Sequence, residues 1–546
     1  MNQRRYNIYF HTHTISGIVI AALLYVIFFA GSFSFFKDDI TAWQKGTTAE
    51  NHAQHADYNY IIDSLGGKYN LKGRNFDFYL LRQGNGAYVN MSASQDTTIS
   101  KPKPKGERRG GRRRGGDDDS AYFLHYFADK TQSSYSDGYN MGEFLYRLHF
   151  LAQLNQVPIK IGKPFGYTVA GIVSFLFLFA LITGLLLHWD KIKTNFFLFR
   201  PWSKWKTVWT DMHTVLGVIG FPFQLLFAIT GIVLIVNYVL ISPFTDYLYG
   251  GKEDKLYEDL QYGRQYEVAY EYQPLGENFD ANAFIAEWSK KWKGSDITRV
   301  NIRNYGDKSM EVVLESKPQS EASFAGSGYV RVQMATGKVF DEKSPTLDNT
   351  YIDGVKSIVY HLHFGDFGGK PLRIVFFILG LMGCAVIISG IMIWLVARDK
   401  VNVPAYKRKF NFWAANFFLS MCLAMLPVTA FTFIMVKCLT TVNQSVIYSY
   451  YFYSWLLLTI YLVVRRDLTI VNKHTLLLSA ALCFGVPIAN AVMSNLGLWH
   501  SLQQKAYDIF FIDMLFLILG ICSLIAFIKV KKQGKPFKIL KEKIAT

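Results

Sequence analysis

With 546 residues the chain exceeds a single core, and 51% hydrophobic and 16% aromatic residues set it apart from an ordinary soluble domain. The net charge of +17 falls largely in short loops between apolar runs, so it calls for no nucleic-acid partner. Eight runs are long enough to cross roughly 30 Å of hydrocarbon. They lie near 15–36, 165–187, 214–241, 373–396, 412–436, 446–464, 475–494 and 508–528. The expected fold class is therefore a mainly α, polytopic membrane protein.

In chain order, residues 1–44 hold the first transmembrane helix and 45–160 form an extracytoplasmic domain with a disordered basic insertion at 100–120. Residues 161–242 hold helices two and three with a basic cytoplasmic loop. A second extracytoplasmic domain (243–364), helix four (365–397) and a C-terminal region of four further helices (398–546) complete the chain. The insertion, KPKPKGERRGGRRRGGDDD at 101–119, is too polar to pack and reads as a solvated loop.

Basic residues set the orientation. Arg4 and Arg5 precede the first span; Lys191, Lys193, Arg200, Lys204 and Lys206 follow the second; Arg398, Lys400, Lys407, Arg408 and Lys409 follow the fourth. Arg465, Arg466 and Lys473 separate spans six and seven, and seven lysines close the chain from Lys529 to Lys543. Every alternate connection is basic, which places both termini in the cytoplasm. The first apolar run is longer than a signal-peptide core and has no clear cleavage site after it, so it is expected to remain. All five cysteines (Cys384, Cys422, Cys438, Cys483, Cys522) lie in or beside spans, so the outer domains are not disulfide scaffolds. No C-x-x-C-H occurs, which excludes the usual covalent haem attachment, and no G-x-G-x-x-G marks a flavin or NAD site.

The first 397 residues read as a duplication. His13, Thr14, Gly17 and Gly31 match His213, Thr214, Gly217 and Gly231 without gaps. LYRLHF (145–150) matches VYHLHF (359–364), GKP (162–164) matches GKP (369–371), and TGLLLHW (183–189) matches SGIMIWL (389–395). A parallel repeat of helix, outer domain, helix predicts a four-helix transmembrane bundle with a pseudo-twofold along the membrane normal. In the second outer domain a helical segment at 277–294 precedes alternating strands at ITRVNIRNYG, SMEVVLES and YVRVQMATGKVF. In the first, a helix near 57–69 precedes strands near 75–81, 86–93 and 122–127, so each domain is expected to be a small α+β unit.

These features together (HTHTISG and MHTVLG at the helix starts, LHF before spans two and four, the TG and SG helices, the ATGKVF hairpin) resemble the PepSY-associated transmembrane helix family. The resemblance covers about residues 1–397 and makes the two outer domains PepSY-like; spans five to eight fall outside it. It implies an inner-membrane reductase of siderophore-bound iron that carries two b-type haems.

The histidines give that implication a chemical basis. An ionisable ring buried unpaired in a membrane protein costs several kcal/mol, so each is a functional candidate. Neutral imidazole is a good axial ligand for haem iron, and two of them favour electron transfer over oxygen binding. His13 and His213 start helices on the cytoplasmic side; His149 and His363 precede helices on the outer side. The eighteen residues from His13 to Gly31 rise about 27 Å, so the four form two stacked pairs. A lone interfacial histidine is ordinarily a satisfied polar anchor, and it is the two matched pairs that argue against that bland account. His11 (aligned with Asp211), His361 (aligned with Arg147) and Arg147 are expected to support the ligands or pair with haem propionates. His188 is the alternative inner ligand. The small residues Gly17, Gly31, Gly171, Gly184, Gly217, Gly231, Gly380, Gly383 and Gly390 suit close approach of a helix or a porphyrin.

The leading expectation is a transmembrane electron conduit in the bacterial inner membrane, reducing a ferric siderophore or chelate outside. Its donor is a separate cytoplasmic protein or a membrane quinol. The alternative is a non-redox PepSY membrane protein that binds peptides or proteases or senses the envelope. The sequence leaves open the ferric ligand, the donor, the oligomeric state and the role of spans five to eight.

Overall fold

A computed structural model describes residues 2–46, 56–81, 86–99, 119–127, 130–159, 164–252, 255–256, 268–318, 326–346, 350–400 and 402–532. The basic insertion at 101–118, the first GKP apart from Pro164, His52, His55 and the tail beyond 532 lie outside these residues. Among the described residues eight helical segments are long and apolar enough to cross a membrane, in agreement with the count from sequence.

The helices are α1 (Gln3–Ser34), α2 (Lys37–Lys45), α3 (Tyr58–Gly66), α4 (Met141–His149), α5 (Phe165–His188) and α6 (Ile192–Phe196). They continue as α7 (Trp205–Tyr249), α8 (Ala281–Lys291), α9 (Tyr351–Phe364), α10 (Gly369–Arg398), α11 (Ala405–Leu423) and α12 (Met425–Cys438). The last are α13 (Gln444–Arg465), α14 (Leu468–Ser494), α15 (Leu498–Gln503) and α16 (Tyr507–Lys532). In the first bundle α1 packs on α5 and α10, and α7 packs on the same two helices. Span five is α11 and α12 in succession, interrupted at Ala424, because Pro427 has no N–H to continue the ladder.

The strands are β1 (Phe76–Leu80), β2 (Gly86–Met91), β3 (Ala121–Tyr126), β4 (Gln132–Ser133), β5 (Ser295–Arg303), β6 (Glu311–Pro318), β7 (Gly328–Gln333) and β8 (Val339–Lys343). The two expected small sheets join edge to edge as one antiparallel sheet of order β4-β3-β2-β1-β5-β6-β7-β8. The joint is β1 on β5, with Phe78 opposite Val300. Each half covers the strand edge that the other would expose. Alternation sends Phe76, Phe78, Val89, Val300, Ile302 and Leu314 to one face, where Ile61, Leu65, Ile285 and Trp288 of α3 and α8 bury them. The two helix starts are tied reciprocally: Tyr58 N–H donates to Asn282 Oδ1 at 2.8 Å, and Ala281 N–H donates to Asn59 Oδ1 at 2.9 Å.

Two short helices carry this domain back to the bundle. Asn140 caps α4 by accepting from Glu143 N–H at 3.0 Å, and α4 ends at His149. Thr350 and Asp353 form a capping box on α9. Gly365, at φ 61°, ends α9 two residues after His363, where a side chain would strain the left-handed turn.

Candidate functional site: two histidine pairs

His13 and His213 meet across the bundle near the starts of α1 and α7, with ring centroids 6.1 Å apart and planes at 72°. His13 Nδ1 lies 2.9 Å from the Ala180 carbonyl on α5, and His213 Nδ1 lies 2.9 Å from the Val386 carbonyl on α10. A carbonyl only accepts, so each Nδ1 carries the proton and each Nε2 keeps its lone pair. Four residues beyond each acceptor stands a glycine. A Cβ on Gly184 would lie 3.0 Å from His13 Cε1, and one on Gly390 would lie 3.2 Å from His213 Cε1. One turn beyond the histidines, a Cβ on Gly17 or Gly217 would meet nothing within 4 Å, so open space adjoins the pair.

His149 and His363 form a second pair at the sheet end, with centroids 5.9 Å apart and planes at 40°. His149 Nδ1 donates to the Ile27 carbonyl at 2.8 Å. His363 Nδ1 lies 2.8 Å from Thr230 Oγ1, whose own proton goes to the Leu226 carbonyl at 2.6 Å, so the hydroxyl accepts from the ring. Gly31 lets His149 in: a Cβ there would sit 2.5 Å from Nδ1. His13 and Ile27 are fourteen residues apart on one helix, roughly 21 Å of rise, so the two pairs occupy separate depths.

The spacing tests what such pairs hold. Two imidazoles on opposite sides of one metal, each bond about 2.0 Å and each nitrogen about 1.1 Å from its ring centre, put the centroids about 6.2 Å apart. The pairs stand at 6.1 and 5.9 Å. Ligating histidines characteristically donate their other N–H to a carbonyl or similar acceptor, as all four do here. Among the described residues no group of three or more His, Cys, Asp or Glu side chains is placed to hold a bare ion. Two opposed imidazoles therefore fit a metal whose remaining ligands come from a planar macrocycle, and haem is such a group.

The other expected residues are distributed as follows. His188, at the end of α5, comes within electrostatic range of His213. Arg147 stays close to its pair but is engaged: its Nε donates to Glu143 Oε1 at 2.7 Å, and Nη1 reaches the Tyr167 hydroxyl at 3.4 Å. Burial alone would raise the Glu143 carboxyl, yet Lys37 (2.6 Å) and Arg147 outweigh it and hold the pKa down at about 2. His361 Nδ1 pairs with Asp366 Oδ1 at 2.5 Å. His11 is exposed, edge-on to Phe10, and lines a surface pocket with Arg4 and Asn7, apart from both pairs. Of the remaining histidines, His474 bonds the Tyr461 hydroxyl at 2.9 Å and His125 is buried in the sheet domain.

The acceptors Ala180, Val386, Ile27 and Thr230 escaped the sequence reading. Backbone carbonyls leave no residue signature. The TG and SG pairs were the usable signal, since they fix the glycine four residues beyond each inner acceptor.

An eight-span membrane protein with an antiparallel sheet domain and two stacked, hydrogen-bonded histidine pairs is the class that this architecture defines. The chain belongs to the PepSY-associated TM region family, which matches residues 10–397 and so contains both pairs. It is also 22% identical over 250 residues to Uncharacterized protein PA4219 of Pseudomonas aeruginosa, covering 44% of this chain. That match spans 61% of the relative's length.

Proposed function

We propose that the protein is a b-type di-haem transmembrane electron-transfer protein that reduces a ferric siderophore or other ferric chelate on the outer side of the inner membrane during iron uptake. The observation that carries this reading is the repetition of one ligand geometry at two depths. A haem bound at each pair would supply one-electron chemistry. His13 with His213, and His149 with His363, would hold the iron through Nε2 while each Nδ1–H goes on donating to the acceptor found above.

Internal duplication explains why ligands come in pairs. Ala180 and Val386 differ by the offset that relates the TG and SG helices, and His13 and His213 by the offset that relates α1 and α7. Each half thus contributes one ring to each level, about a shared axis. Basic loops beside the His13 level make it the cytoplasmic, electron-receiving end, served by a separate protein or a membrane quinol. The sheet domain and the His149 level then face the ferric substrate, where reduction loosens hard-oxygen chelators and frees the metal.

Pyridine haemochrome assay of the detergent-purified protein should return two haems per chain. Ring planes at 72° and 40° should give two distinct low-spin electron paramagnetic resonance signals. A colourless protein with full helicity would sink this proposal and leave the non-redox envelope reading.

A further inference from the structure

Spans five to eight lie beyond the family match, and the structure shows what they touch. Trp43 of α2, fully buried, donates its indole N–H to Asp513 Oδ1 of α16 at 2.7 Å. The other carboxylate oxygen accepts from Asn490 Nδ2 of α14 at 2.8 Å. Phe433 of α12 packs against the indole at 5.3 Å, and Lys437 Nζ stands 4.7 Å from the ring centre. Three of the four added spans thus converge on one tryptophan. Lys370 ties Asp39 of the same short helix to Asp508 of α16.

That short helix in turn holds α4. Thr41 Oγ1 donates to Asn140 Oδ1 at 3.0 Å, Met141 N–H donates to Gln44 Oε1 at 2.8 Å, and Lys37 pairs with Glu143 at 2.6 Å. Span six touches α4 directly, with Phe144 4.6 Å from Tyr451, and holds the turn before it, where Gln444 N–H donates to the Ser136 carbonyl at 2.9 Å. His149 is the last residue of α4.

The helix carrying His363 is held differently. Aligned through LYRLHF and VYHLHF, Met141 and Phe144 of α4 correspond to Val355 and Ile358 of α9. The first two are 0% exposed and the second two 45% and 44%. Among the described residues, α9 packs on α7 and on the turn that follows it.

We infer that spans five to eight are a positioning unit for His149, acting through the Trp43–Asp513–Asn490 contact and the aromatic socket around Phe144. They set α2 and α4 so that the His149 ring meets the Ile27 carbonyl and faces His363. This rests on the reading of His149 and His363 as paired ligands. Trp43 and Asp513 touch neither ring and are positioning residues.

The test compares Trp43→Phe, Asp513→Ala, Asp513→Asn and, as control, Ile358→Ala in the full chain. Removing the indole donor or the carboxylate should cut the low-spin signal of the outer pair at least two-fold and leave the inner signal unchanged. Asp513→Asn should fall between wild type and Asp513→Ala, because the amide oxygen still accepts from Trp43 while its N–H₂ meets the Asn490 N–H₂ in place of an acceptor. Ile358→Ala should match wild type. Nitroxide labels at Gln156, in the short turn just after α4, and at Tyr351 of α9 report how the two segments sit independently of haem, and that distribution should broaden in Trp43→Phe and Asp513→Ala. Both signals falling together, or both signals and the distance unchanged, overturns the inference. If the wild type holds no haem, the functional proposal fails, and the label distances alone decide the positioning role.

Discussion

Replacing Gly31 by alanine is the sharpest perturbation the histidine geometry offers. The new methyl group would stand 2.5 Å from His149 Nδ1 and 2.8 Å from Cε1, against about 3.4 Å for ordinary contact. The ring must therefore retreat by about 0.9 Å. Its 2.8 Å bond to the Ile27 carbonyl cannot survive such a shift, since a contact near 3.6 Å is no longer a hydrogen bond. A buried donor left unpaired costs about 1–3 kcal/mol, and overpacking costs about 1–3 kcal/mol more. The gain in helix propensity from glycine to alanine, roughly 1 kcal/mol, does not offset this. The matched substitutions make an internal scale: contacts of 3.0 Å at Gly184, 3.2 Å at Gly390 and 3.8 Å at Gly231. Gly184→Ala and Gly390→Ala should weaken the inner pair mildly, and Gly231→Ala should be neutral or slightly stabilising. Low-spin haem at each site, followed by paramagnetic resonance with thermal midpoints alongside, gives the ranking. If Gly31→Ala keeps both signals, or Gly231→Ala does equal harm, the geometric reasoning is wrong.

Single alanine substitutions separate the two levels. His149→Ala or His363→Ala should remove about half of the low-spin signal and abolish external ferric-chelate reduction, whereas His13→Ala or His213→Ala should spare an outer haem that dithionite reduces and the cytoplasmic donor does not. Cysteines engineered near 110 or 320 should react with impermeant reagents in intact cells and those near 200, 405 or 535 should not; the reverse pattern would invert the direction of electron flow. The Glu143 carboxyl is held near 2, below the ordinary carboxylate range, so its contribution is whole above about pH 4.5 and disappears as pH falls toward 2. With partly exposed partners that contribution is about 1–2 kcal/mol, so Glu143→Gln should lower the thermal midpoint at pH 7 and converge with wild type only near pH 2.

The spans, the strands of the sheet domain and the pairing of the four histidines were legible because each rests on a pattern that sequence preserves. Apolar length gives a membrane crossing, alternation gives a strand, and repetition at a fixed offset gives a symmetric pair. The joint between β1 and β5 was not legible, because both segments read as ordinary edge or central strands until a partner is known. Nor was the link from Trp43 to Asp513, which are 470 residues apart and carry no shared motif. Trp43 carries no motif of its own, and only its burial and its indole partner set it apart.

The departures from symmetry are as informative as the symmetry. Position 30 is alanine and its counterpart 230 is threonine. Alanine leaves His149 to bond the Ile27 carbonyl directly, whereas the Thr230 hydroxyl intervenes and takes the His363 proton itself. A hydroxyl that already donates to Leu226 is a single, oriented acceptor, and it fixes the His363 ring from a side chain with its own rotamer rather than from the helix backbone. The two rings of this pair are thus anchored by unlike groups, on helices gripped to unlike degrees: α4 is buried against α1, α2 and span six, while α9 leaves Val355 and Ile358 exposed. Each ring is held by what its own surroundings provide, so the His149–His363 pair joins one firmly clamped imidazole to one freer to adjust.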